Sequence, residues 1–124
     1  MGVFWVALGG AVGSAGRYAI SLIPFRSGFP ALTLATNVLG AVLIGFIVGL
    51  ATNREDLPLN ATLFWKTGVC GGFTTFSTFS LETIGLLESR SYFAAGLYMF
   101  LSVALCLVGI LCGRKVAVLT GRYF

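Results

Sequence analysis

The sequence predicts an all-α integral membrane protein, and three observations predict it. Of 124 residues, 57% are hydrophobic and only 10% are charged, too few to coat a soluble domain of this length. The mean hydropathy is +0.96. The apolar residues gather into four stretches of bilayer length, each closed by polar or helix-breaking residues.

The first span is read over residues 3–23 and ends at Pro24 in "IPFRSGFP". It lacks a basic start and runs on through Arg17, so it is not expected to be a cleaved signal peptide. The second covers 31–52 and stops at the polar "NREDLPLN". The third covers 61–87, before "ESRS", and the fourth covers 92–113, before Arg114 and Lys115. Together they form one transmembrane domain over residues 1–124, with no linker and no soluble part. Glycine pairs four apart (Gly9 and Gly13, Gly45 and Gly49, Gly68 and Gly72, Gly109 and Gly113) mark a tightly packed bundle.

A net charge of +4 does not point to nucleic acid, because no basic run is dense enough to follow phosphates. The termini and the second loop share Arg54, Lys66, Arg114, Lys115 and Arg122, against Arg26 and Arg90 on the other side, a modest bias towards cytoplasmic termini. Cys70, Cys106 and Cys112 all lie in apolar stretches, without zinc spacing and without any histidine, and read as packing residues. The same poverty of histidine and acids argues against an enzyme, and no phosphate-binding loop is visible.

Polar residues inside the spans carry the functional signal. Asn37 is either a glue between helices or a lining group that donates to an anion. Arg17 either snorkels or meets a helix-end carbonyl, or it is a fixed charge at a vestibule. Tyr98, Ser102 and Cys106 fall on one helical face, a packing stripe or a track of hydroxyl donors. In "GGFTTFSTFS", Gly71 and Gly72 weaken the helix and Thr74 and Thr75 bond locally, so the third span is expected to break at mid-membrane over Gly71–Thr75. Broken backbone in a bilayer faces a cavity, an ion or other protein. Helix resumes beyond it, which puts Phe76 and Phe79 on one face, with Ser80 and Thr83 a turn further on. The positive edges of two phenyl rings suit a small anion.

These features resemble the fluoride channel family called Fluc or CrcB. The resemblance rests above all on "GGFTTFSTF", reinforced by "GRY" at 16–18, "TNVLG" at 36–40, Glu82, and the Tyr98 and Ser102 pair, and it spans nearly the whole chain. It implies an antiparallel, dual-topology homodimer, or a heterodimer with a related chain, in a bacterial inner membrane, with two fluoride pores. It further implies a structural sodium ion held by the backbone carbonyls of Gly71 and Thr74. Asn37, Phe76, Phe79, Tyr98 and Ser102 would line the pore, and Arg17 would supply the vestibule charge. Cys106 departs from the family's frequent hydroxyl at that place, and the Lys and Arg asymmetry fits dual insertion poorly. A small proton-coupled drug exporter is the main rival, but it needs an acid in the first span, where this chain has only Arg17. A membrane scaffold would explain the glycines and leave Asn37 and the two phenylalanines without a purpose.

Overall fold

The computed structural model describes residues 1–53 and 57–121. Arg54 and Arg122 of the charge count lie outside the described residues. The chain is all-helical among those described: α1 (Gly2–Ser21), α2 (Ala31–Asn53), α3 (Leu59–Thr62), a π-helix π1 (Leu63–Cys70), α4 (Gly71–Phe73), α5 (Phe76–Glu88) and α6 (Tyr92–Gly121). Three helices, α1, α2 and α6, are long and apolar enough to cross a membrane. The segment from Leu59 to Glu88 is divided, and no single helix in it reaches that length.

Proline sets the first boundaries. α1 ends three residues before Pro24, and α2 starts directly after Pro30, whose carbonyl accepts from Leu34 N at 3.1 Å. α5 ends in a left-handed turn at Arg90, φ 59°. There Ser91 N donates to Leu86 O (2.8 Å) and Arg90 N to Leu87 O (3.0 Å), the paired bonds of a Schellman motif with arginine where glycine is usual.

The helices pack as two pairs. α1 lies against π1 and α4, and α2 lies against α6. Glycine permits both approaches. A Cβ on Gly9 would strike the Phe64 carbonyl, and one on Gly13 the Val69 carbonyl, while one on Gly68 would sit 2.7 Å from Gly9 Cα. In the second pair a Cβ on Gly113 would strike the Val42 carbonyl, and one on Gly49 would sit 2.7 Å from Ala117 Cβ. Every glycine pair read from the sequence therefore lies in a helix contact of this kind, where dispersion replaces the hydrophobic drive that lipid does not supply.

Three boundaries differ from expectation. The interruption is narrower than Gly71–Thr75: Gly71 is helical (φ −64°, ψ −38°), and only Thr74 and Thr75 are extended. The glycines do not loosen this helix, because Gly72 serves close packing, where a Cβ would meet the Gly10 carbonyl at 2.5 Å. The stretch before the break is π-helical over eight residues, for which the sequence carries no signal. α6 continues to Gly121, past Gly113, because a helix leaving an apolar layer has no reason to stop at its basic flank.

Gly113→Ala places a methyl group against the Val42 carbonyl and is expected to cost about 1–3 kcal/mol. Gly96→Ala, which meets nothing within 4 Å inside α6, serves as the control and leaves stability unchanged or raises it by up to about 1 kcal/mol. Thermal unfolding of the two variants in detergent checks the difference.

Candidate functional site

The site is built around Thr74 and Thr75. A continuous helix would return the Thr75 amide to the Gly71 carbonyl and the Thr78 amide to the Thr74 carbonyl. Both are diverted. Thr75 N donates to Asn37 Oδ1 at 2.8 Å, and Thr78 N donates to Thr75 Oγ1 at 3.1 Å. Asn37 closes a two-way bridge, since its Nδ2 donates to the Thr75 carbonyl at 3.1 Å. Asn37 thus offers Thr75 the pairing that a neighbouring strand would give, and Thr75 in turn caps α5 as an extended N-terminal residue. One amide hydrogen of Asn37 is left over from this bridge.

The end of α4 is covered from α1. The Gly72 carbonyl accepts Arg17 Nε at 3.2 Å and a long contact from Ser14 Oγ at 3.5 Å. Arg17 therefore caps a helix C-terminus, where a cation is favoured by the carbonyl dipoles. It also lines a cavity of about 300 Å³ with Tyr18, Thr33, Thr75 and Thr78.

On the other side of the break runs a groove of about 690 Å³. Asn37, Gly71, Thr74, Phe76, Phe79 and Ser102 all contribute to its wall. Phe76 stands 79% exposed, and its ring centroid lies 5.4 Å from that of Phe79. Phe79 packs in turn on Tyr98, centroid to centroid 5.1 Å, and Tyr98 meets the Phe29 edge at 5.5 Å. Ser102 is 8% exposed, and its Oγ is the one buried side-chain polar atom among the described residues without a hydrogen-bond partner. A buried hydroxyl in that condition wants a ligand or a water.

Tyr98 is placed differently from Ser102. It is fully buried, and its hydroxyl donates to Glu82 Oε2 at 2.7 Å. The other carboxylate oxygen of Glu82 accepts Thr33 Oγ1, also at 2.7 Å. Tyr98 is thus joined to the site through Glu82 and through its stacked ring, with its only proton already given. Ser80 and Thr83 return their hydroxyls to Phe76 and Phe79 carbonyls within α5 (2.9 and 2.7 Å) and take no part in the groove. Sequence reading of Glu82 and Thr33 had no way to join them, because they lie on different helices. The clue was a carboxylate in an apolar span, which must find donors.

The carbonyls of Gly71 and Thr74 fit a small hard cation. They are among the carbonyls whose helical amides the break removes, both residues line the groove, and a Cβ on Gly71 would meet nothing within 4 Å. Among the described residues there is no cluster of three or more His, Cys, Asp or Glu that could hold a metal by side chains.

Asn37→Ala leaves both polar groups of the Thr75 peptide without their partners and is expected to cost on the order of 1–3 kcal/mol in thermal unfolding. Asn37→Asp keeps an acceptor for Thr75 N but turns a carboxylate oxygen towards the Thr75 carbonyl, and is expected to cost at least as much.

The family model described as "CrcB-like protein, Camphor Resistance (CrcB)" matches residues 4–114. The chain is 42% identical over 120 residues to the fluoride-specific ion channel FluC of Roseiflexus sp. (strain RS-1), covering 94% of this chain and 97% of that protein. It is 44% identical to the protein of the same name from Roseobacter denitrificans, over 90% of this chain and 91% of the relative. The corresponding protein of Thermococcus onnurineus is 39% identical, over 89% and 94%.

Proposed function

The chain belongs to the CrcB family of multi-pass membrane ion channels, which are not enzymes, and we propose that it is a fluoride-selective channel that lets the ion leave the cytoplasm passively. One observation carries the assignment of the route. The unpartnered Ser102 hydroxyl stands in the same groove wall as Asn37, Phe76 and Phe79.

Fluoride is strongly hydrated, so a conduit must replace water without holding the ion too firmly. Ser102 Oγ and the spare Asn37 amide hydrogen take over part of the shell. The edges of Phe76 and Phe79 add weak, distributed attraction that does not trap the ion. Arg17 supplies positive charge at the approach from the cavity it lines. Glu82 does not turn the route into a cation path, because Thr33 and Tyr98 hold both of its oxygens.

The assembly proposed is an antiparallel homodimer with two pores, or a heterodimer with a related chain, in a bacterial inner membrane. Its partner copy covers the groove and the exposed Phe76. The divided segment Leu59–Glu88 supplies the remaining crossing of each copy. The carbonyls of Gly71 and Thr74 would hold a sodium ion between the copies, which supplies a fixed positive field and ties the interrupted segments together. Outward flow follows from weak-acid chemistry. Hydrogen fluoride enters uncharged and dissociates inside, and a membrane voltage negative inside drives the anion out through a passive pore.

Purified protein in liposomes is expected to release fluoride and retain chloride down equal gradients, read with ion-selective electrodes. Phe76→Ile and Phe79→Ile keep bulk and lose the ring edge. Each is expected to slow fluoride release about tenfold or more, the equivalent of about 1.4 kcal/mol, while the assembled species elutes unchanged. Full release by both variants would overturn the assignment of the rings.

A further inference from the structure

Lys66 is the charge that the fluoride reading leaves unused. It lies on π1 and lines the same groove as Asn37, Phe79 and Ser102. Among the described residues the groove wall contains no Asp or Glu, and Lys66 is its only ionic side chain. It is exposed, and among the described residues it has neither a salt-bridge nor a hydrogen-bond partner. Glu82, the acid nearest the phenylalanines in sequence, is occupied by Thr33 and Tyr98.

Lys66 follows Leu59 by seven residues, roughly 10 Å along a helix. A lysine at the end of a span commonly lifts its ammonium towards lipid phosphates. This one borders the groove, and an ionisable group within a span that faces a protein cavity is a functional candidate by default.

The groove also gives the charge a direction. Gly40 abuts Thr74, and Asn37 bonds Thr75, so α2 runs opposite to the broken segment here. Going back along the chain from Thr74 to Lys66 therefore means going forward on α2 to Ile44, and Ile110 of α6 lies in the same wall. Ile110 is eight residues beyond Ser102, about 12 Å along the helix. Lys66 thus stands towards one end of the groove, and Ser102 and Phe79 towards the other. In the antiparallel pair proposed above, a two-fold axis through Gly71 and Thr74 exchanges these ends. Lys66 of one copy then stands level with Ser102 and Phe79 of the other.

We propose that Lys66 is an anion-supplying charge of the conduction route, contributed by one copy to the pore mouth of the other. It concentrates a small monovalent anion where the hydroxyl and the two rings receive it. This rests on the fluoride reading and on the antiparallel pair. An unscreened ammonium beside a narrow, low-dielectric passage raises the local anion concentration, and salt removes that effect.

The test compares wild type, Lys66→Gln and Lys66→Arg in phosphatidylcholine liposomes, with fluoride efflux measured at about 0.01 M and about 1 M ionic strength, where the Debye lengths are about 30 Å and about 3 Å. The proposal expects Lys66→Gln to slow efflux about tenfold at low ionic strength, to match wild type at high ionic strength, and to be rescued by Lys66→Arg. Equal efflux at both ionic strengths would overturn it. So would a loss that persists at high salt and is not rescued by arginine, which is the mark of a packing role. An effect confined to vesicles containing anionic phospholipid would also overturn it, in favour of a headgroup contact. Robust wild-type efflux without any Lys66 effect leaves the fluoride reading standing, whereas no wild-type efflux removes both.

Discussion

A single carboxamide holds this structure in its working shape. Asn37 gives and receives a hydrogen bond with the Thr75 peptide, and so takes the amide that a continuous helix would spend on Gly71. A broken backbone inside an apolar layer is tolerated only when its polar groups find partners, and the loss of one such partner costs more than most packing changes. The geometry on both sides of the break depends on that bridge. Thr75 is free to cap α5, the Thr78 amide turns to the Thr75 hydroxyl, and the carbonyls of Gly71 and Thr74 are among those that lose their helical amides.

The polar inventory is small and almost wholly committed. Arg17 and Ser14 cover the Gly72 carbonyl, and Thr33 and Tyr98 share the Glu82 carboxylate. Against this background the unpaired Ser102 hydroxyl stands out, and it stands beside Phe76 and Phe79. The glycine contacts between α1 and π1, and between α2 and α6, bring the backbones close enough for a short chain to hold such a groove. The fluoride reading draws on this pattern: weak donors and ring edges gathered in one wall, with Arg17 and Glu82 tied down by their own partners.

Much of this was legible in the residues. Hydropathy and proline located α1, α2 and α6, and the hydroxyl-rich decapeptide located the interruption. The cause of the interruption was not legible. Gly71 and Gly72 look like helix breakers, yet both are helical, Gly72 in close packing against α1, and tertiary context overrode propensity. Asn37 could be seen as a polar group needing a partner, but its partner lies 38 residues away, and spacing alone does not pair residues on different helices. The same is true of Tyr98, whose helical stripe with Ser102 was visible and whose bond to Glu82 was not. The π-helix has no compositional mark at all.

Backbone carbon chemical shifts of the channel in lipid bilayers, by solid-state magnetic resonance across Gly71–Ser77, test the central claim most directly. The account expects helical values through Phe73, extended values at Thr74 and Thr75 alone, and helical values again from Phe76. Helical shifts throughout, or a disordered stretch that takes in Gly71 and Gly72, would contradict it.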